Sequence, residues 1–154
     1  ELLRPLETGA ANEGTHTLLN FTPCIQLADA ATNEAYFSFV PPQDILLSAM
    51  HFWWSTPATS GNMRWQIDLG EGGVSEATNA RTTGGVAITT ACDGTANDLK
   101  ITDIHSASGV NLGKLKRGNL WGIRFTRIGG DAADTLSTTA NIYGIQVVYR
   151  LYGV

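Results

Sequence analysis

Charged residues are scarce in this 154-residue chain. Only 16% of its residues are Asp, Glu, Lys or Arg, against about 25% in an average globular domain. The 14 acidic residues outnumber the 10 basic ones, and the net charge is −4. The chain therefore lacks the clustered Lys and Arg by which proteins bind nucleic acids or anionic membranes, and we expect neither among its partners.

The chain also has few histidines and cysteines, and its apolar runs are short. No apolar segment approaches the ~20 residues that a transmembrane helix needs. The three histidines and two cysteines are not spaced like metal ligands, so we expect no metal centre and no cofactor. Cys24 and Cys92 carry no disulfide-framework signature, and the sequence leaves open whether they pair.

The polar part of the chain is instead rich in threonine and glycine, with 18 Thr and 17 Gly, while hydrophobic residues make up 43%. This apolar content suffices for one sizeable core, and the length fits a single domain. Disorder is excluded because large apolar residues are spread along the whole sequence.

Strand patterns dominate, and no segment of ten or more residues keeps a helical periodicity. Asn62–Leu69 alternates strictly between apolar and polar residues, which is typical of an antiparallel strand with one wet face. We predict an all-β, antiparallel, jelly-roll-like β-sandwich of about seven or eight strands. Residues 1–33, which show little periodicity, are expected to form an extended N-terminal arm or linker, and residues 34–154 the β-sandwich domain.

The stretch Ile45–Trp54 is apolar on both of its faces. Such a strand is either buried on both sides or keeps one face for a contact. Leu47, His51 and Trp53 lie on the second face and are the candidate subunit or ligand contacts. Trp53 is the tryptophan most suited to stack on a sugar ring, because the pattern places the other three in the core.

Catalytic signatures are weak. Asp103, His105, Ser106 and Ser108 are close in sequence, but neighbouring residues of a strand and loop point apart, and no nucleophile elbow is present. Asp131 and Asp134 supply too few oxygen ligands for calcium and are better explained as turn residues. We expect no catalytic residues and no enzymatic activity.

Two stretches together resemble a group of bacteriophage and prophage structural proteins, found on tail fibres, head fibres or capsid decorations. One is Glu34–Pro42 with the following strand and Thr59–Trp65. The other is Ile123–Ile128 with the Asp131–Leu136 turn and the strand from Ala140 to Tyr149. The resemblance covers roughly residues 18–152, and its motifs are strand-and-turn patterns without catalytic residues.

What the resemblance implies is a non-enzymatic virion component, a capsid decoration or fibre protein, that assembles as a homotrimer with other virion proteins and can adhere to a host-surface glycan. Its matching positions would be fold determinants: Phe37, Phe39, Pro41, Trp54, Trp65, Asp131 and Asp134. The alternative hypothesis is a carbohydrate-binding β-sandwich module, for which Trp53 would form a solvent-facing platform. A small secreted β-sandwich enzyme is the third hypothesis and requires paired carboxylates in a cleft.

Overall fold

The computed structural model describes residues 1–73, 75, 81–104 and 113–152, and it contains twelve strands and no helix in that part of the chain. The strands are, in chain order, β1 Leu2–Leu3, β2 Thr15–Leu19, β3 Thr22–Leu27, β4 Thr32–Phe39, β5 Ile45–Ser55, β6 Asn62–Gly72, β7 Arg81–Gly84, β8 Ile88–Ala91, β9 Lys100–Ile104, β10 Lys114–Leu115, β11 Leu120–Ile128 and β12 Ala140–Leu151. The prediction of an all-β antiparallel sandwich is confirmed. The expected number of strands was too low, because β1, β7 and β10 span only two to four residues. Strands this short do not show an alternation of apolar and polar residues.

Two antiparallel sheets form the sandwich. The seven-stranded sheet has the order β10-β5-β12-β3-β2, with β9 pairing β5 beside β10 and β1 pairing β12 beside β3. The five-stranded sheet has the order β4-β11-β6-β7, with β8 pairing β6 beside β7. Long central strands therefore carry shorter strands end to end along their edges.

Strand β6 shows why the core lies between the sheets. Met63, Trp65 and Ile67 are fully buried, while the alternating residues Arg64 and Gln66 remain partly exposed, as the period of two requires. The ring of Trp65 packs edge-on against Phe52 of the opposite sheet, with 4.8 Å between ring centroids. Aromatic packing of this kind joins the two sheets.

Strand β5 does not have the two apolar faces that its sequence suggests. Its register against β12 shifts so that Ala49 pairs with Val148 and Leu47 pairs with Tyr149, which leaves Ser48 as an extra residue. Such a β-bulge inverts the alternation. Leu47, at 4% exposure, consequently lies in the core with Ile45 and Met50, and is not on the face that carries His51 and Trp53.

The N-terminal segment is part of the sandwich. β3 pairs with β12, and Ile25 and Leu27 are fully buried. Before β2, the chain runs along the edge of β4, where Leu6 donates its amide to the carbonyl of Tyr36 at 2.8 Å. The expected division between residues 33 and 34 falls inside β4, because alternation alone does not reveal short strands that add to a sheet edge.

A buried arginine fixes the turn before β12. Arg127 is fully buried, and its Nη2 lies 2.8 Å from Oδ1 of Asp134, whose side chain is also fully buried. Arg127 Nη1 also donates to the carbonyl of Leu27 at 3.0 Å. Asp134 thus serves as a structural partner within the turn, since a buried guanidinium requires hydrogen-bonded neutralisation.

The cysteines do not pair in this structure. Cys24 is a buried free thiol on β3, and Cys92 is a partly buried free thiol whose Sγ lies 3.1 Å from the carbonyl oxygen of Ala58. Within the described ranges, no helix is long and apolar enough to cross a membrane.

Candidate functional site

A trough of about 500 Å³ lies on the outer face of the five-stranded sheet. It lies across β4, β11, β6 and β7. Its position follows from alternation: Tyr36, Gly122, Arg124, Asp68 and Gly70 are the outward residues of strands whose inward residues form the core.

The floor of the trough is glycine. Gly122 of β11 pairs directly with Gly70 of β6. On the other side of β6, Gly84 of β7 pairs with Asp68, two residues before Gly70. Three neighbouring strands therefore present bare backbone where side chains would normally cover a sheet. A Cβ atom built on Gly122 would meet nothing within 4 Å, so this position tolerates a side chain sterically and the floor there is open.

One wall of the trough is an arginine–aspartate pair held across β11 and β6. Arg124 Nη2 and Nε donate to Oδ2 of Asp68 at 2.8 and 3.1 Å. Oδ1 of Asp68 accepts hydrogen bonds from Gln66 Nε2 at 2.8 Å and from the amide of Gly85 at 3.1 Å. Burial raises the pKa of Asp68, but these hydrogen bonds outweigh it, and the net pKa shift is downward, so Asp68 is anionic at neutral pH.

Tyr36 continues this wall onto β4, with the largely buried Glu34 behind it. The Tyr36 hydroxyl donates to Oε2 of Glu34, and Arg124 Nη1 lies 3.4 Å from Oε1 of the same carboxylate. Burial, followed by the hydrogen bond to Glu34, raises the pKa of Tyr36 to about 12. Tyr36 is therefore a neutral, half-buried aromatic ring with its hydroxyl group fixed.

This arrangement supplies both donors and acceptors within one open cavity. Arg124, with 48% of its side chain exposed, has N–H groups for an incoming oxygen, and the carboxylate of Asp68, which also lines the cavity, accepts hydrogen bonds. A fully anionic ligand would be opposed by two carboxylates, and a cationic one by the guanidinium. Hydroxyl groups, which donate and accept at once, match the wall best.

A second, smaller depression of about 300 Å³ lies on the outer face of the seven-stranded sheet. Trp53 of β5 and Tyr143 of β12 are its aromatic residues. Its remaining lining residues come from β1, the β2–β3 turn and the segment before β9: Leu2, Arg4, Leu19, Asn20, Thr22 and Leu99.

The structure separates the predicted contact residues. Trp53 lines this second depression, and His51 is partly exposed on the same face, where its Nδ1 is hydrogen-bonded with Asp103. Leu47 is in the core. A contact role of His51 and Trp53 stays a prediction, and His105, Ser106 and Ser108 lie outside the described residues.

Sequence reasoning missed the trough entirely. Its residues are far apart in the chain and belong to no motif. The sequence signal that could have indicated the trough was the solvent-facing side of strand β6, where Gln66, Asp68 and Gly70 follow each other at every second position. Only the register with β11 shows that Gly70 faces Gly122 and that Asp68 faces Arg124.

No family model matches the sequence, and no curated protein matches it. Solved structures do match the fold. A family 35 carbohydrate-binding module from an environmental isolate superimposes with a TM-score of 0.58 at 13% sequence identity, covering 100% of this chain and 98% of that one. TmCBM61 in complex with β-1,4-galactotriose superimposes with a TM-score of 0.38 at 11% identity, covering 83% of this chain and 71% of the other. The first likeness shows a shared jelly-roll-like β-sandwich, and the second is too low to carry an argument.

Proposed function

We propose that this domain is a carbohydrate-binding β-sandwich module that holds a sugar chain in the trough of the five-stranded sheet. The observation that carries the proposal is the glycine floor beside the Arg124–Asp68 pair. An open floor admits flat rings, and a wall of paired donors and acceptors matches hydroxyl groups. The fold shared with a carbohydrate-binding module agrees with this function but would not by itself support it.

Each group of residues in the trough has a distinct role in binding. Arg124 and Asp68 hold each other in place, so the hydrogen bonds to a ligand form without loss of side-chain freedom. Tyr36 offers its ring to the apolar C–H face of a sugar, because its hydroxyl group is already bonded to Glu34. Function through binding, without catalysis, agrees with the expectation of a non-enzymatic protein.

The test uses the glycine floor as a place to add a side chain. Gly122→Trp fills the trough without a clash at Cβ. The probes are the β-1,4-linked hexasaccharides of glucose, mannose, galactose and xylose. Binding is followed in ¹H–¹⁵N spectra, where glycine amides are well resolved. We expect one or more probes to shift the amides of Gly70, Gly84 and Gly122, and Gly122→Trp to abolish the shifts at the first two.

Gly130→Trp is the matched control, because Gly130 is exposed, its Cβ would also meet nothing within 4 Å, and it lines neither cavity. It should bind like the wild type. Spectra in which no probe moves the trough amides would overturn the proposal, as would full retention of these shifts in Gly122→Trp.

We also propose, as a second candidate, the homotrimeric virion component that the sequence resemblance implies, located in the virion. The observation in its favour is the outer face of the seven-stranded sheet, where Ile101 and Val148 are 55% and 38% exposed beside His51 and Trp53. Exposed apolar patches are typical of subunit contacts. Light scattering should then give three times the mass of the 16.4 kDa chain, whereas a monomer at high concentration would exclude the trimer.

A further inference from the structure

The two cavities lie on opposite faces of the sandwich. The trough belongs to the outer face of the five-stranded sheet, and the depression at Trp53 belongs to the outer face of the seven-stranded sheet. The packed core separates them, so a ligand in one cavity cannot reach the other. Any ligands that they hold would be bound independently.

The aromatic residues of the second depression expose their rings while their polar atoms are occupied. Trp53 Nε1 donates to Oε1 of Gln146 at 3.4 Å, and the Tyr143 hydroxyl is hydrogen-bonded with Ser55 Oγ at 2.9 Å. Tyr143 reaches this face because it is the extra residue where the register of β12 shifts against β5. Two oriented rings thus offer apolar surface at the floor of a concave site.

Polar groups accompany these rings. The exposed Arg4 uses one N–H to bond the carbonyl of Tyr143 at 3.3 Å and has further N–H groups for a ligand. Asn20 contributes from the turn between β2 and β3. Ring surface bordered by a few directed donors is the composition expected of a small-ligand site and not of a flat protein interface.

The turn beside this depression carries a bulky residue at a position where the hairpin favours glycine. Asn20 and Phe21 have φ of +48° and +66°, the type I′ hairpin geometry in which glycine is preferred at the second position. Phe21 is instead a bulky residue in the left-handed region, and its side chain is 98% exposed. An exposed aromatic side chain kept at a strained position indicates a role outside the fold.

We infer that the Trp53 depression is a second sugar-binding site, with Phe21 at its rim, and that the domain is therefore bivalent. The inference rests on the proposed carbohydrate-binding function. The ligand class is a pyranose chain whose C–H faces lie against Trp53 and Tyr143 and whose oxygens accept from Arg4. A bivalent domain can bridge two chains and bind a polymer more tightly than either site alone.

Stoichiometry with the same four hexasaccharides tests this inference. Native mass spectrometry should show two ligands on the wild type and one each on Trp53→Ala and Gly122→Trp. In ¹H–¹⁵N spectra, the indole signal of Trp53 and the amides of Asn20 and Thr22 should shift even in Gly122→Trp. Tyr152→Ala is the control, because Tyr152 is an exposed aromatic residue beyond the far end of β12 and should leave both ligands bound.

The outcomes separate the two proposals. One ligand, lost in Gly122→Trp and kept in Trp53→Ala, overturns bivalence and leaves the trough as the binding site. One ligand, lost in Trp53→Ala and kept in Gly122→Trp, overturns both the trough and bivalence. A trimer that buries Trp53 and excludes sugar from it would likewise overturn the second site.

Phe21→Gly gives an independent measurement that does not risk misfolding. Glycine relieves the left-handed strain, so thermal unfolding should shift to higher temperature, while binding at the Trp53 depression weakens by at least threefold. A variant that is more stable and binds equally well would show that Phe21 has no part in the site.

Discussion

At the scale of single residues, Glu13 shows how one carboxylate organises a loop. Its oxygens accept from the amides of Thr8 and Gly9 at 3.0 and 2.7 Å, and from His16 Nε2 at 2.9 Å. Burial raises the pKa of Glu13, but the hydrogen bonds from His16, Thr8 and Gly9 prevail and lower it to about 2. This loop lies along the edge of β4, beside Tyr36 of the trough wall and the Glu34 behind it.

A lowered folded-state pKa sets the direction of a pH effect. Glu13 stabilises the fold fully above its unfolded pKa of 4.5, and this contribution is lost as the pH falls through about 2. We expect Glu13→Gln to lose roughly 1 kcal/mol, or about 2–4 °C in Tm, at pH 7. Its deficit against the wild type should shrink between pH 4.5 and pH 2.

Thermal unfolding between pH 2 and pH 8 measures this effect, with the exposed Glu7→Gln as the control for loss of one charge in the same segment. A constant difference between Glu13→Gln and the wild type at every pH would contradict the assignment of the stabilisation to the ionised carboxylate.

At the scale of elements, the bulge in β5 decides which residues are buried. Ile45 and Leu47 precede Ser48, and Met50 and Phe52 follow it, yet all four are in the core. With Ser48 present but no bulge, one of these two groups would face solvent, since a shift of one position turns every side chain to the other face.

Deletion of Ser48 should therefore be far less damaging than deletion of the outward-facing His51, which lies in the regular part of the same strand. Without Ser48 the strand alternates regularly and its core residues stay on the core face, so we expect a cost of about 1–2 kcal/mol, mainly from the lost bond to the carbonyl of Val148. Without His51 we expect a cost of more than about 4 kcal/mol, because Phe52 and Trp54 leave the core or the strand loses its pairing with β12. Urea denaturation of the two variants checks this, and equal stabilities would refute the role of the bulge.

The elements also show what the sequence could and could not reveal. Strand β6 was predictable, because its residues alternate without interruption between the core and solvent. Leu47 was not, because a bulge leaves no trace in an apolar run. The trough was equally hidden: Gly70 and Gly122 become neighbours only through the register of β6 and β11, and register depends on the whole sheet.

At the scale of the whole molecule, the N-terminal segment joins the two sheets. β1 pairs with β12 of the seven-stranded sheet, and Leu3 is 7% exposed. The chain then crosses to the five-stranded sheet, where Asn12 and Gly14 exchange backbone hydrogen bonds with Glu34 at 2.8 and 3.0 Å. One stretch of irregular chain thus closes two sheet edges.

Removal of residues 1–14 should destabilise the domain by more than about 3 kcal/mol, because Leu3 leaves the core and the β4 backbone loses its partners. Arg4→Ala, which retains all of these backbone bonds, should unfold like the wild type within about 1 kcal/mol. Chemical denaturation compares them. A truncated chain as stable as the full one would instead support the prediction from the sequence that residues 1–33 form a separate N-terminal arm.

The bare floor at Gly122 also has an evolutionary consequence. Because this part of the trough already lacks side chains, substitution there can only add atoms, and a codon change at Gly122 adds them into free space. Related sequences can therefore narrow the trough in small steps without disturbing the core beneath it, but they cannot deepen it. Under the proposed carbohydrate-binding function, ligand preference in such a lineage would drift from larger to smaller saccharides.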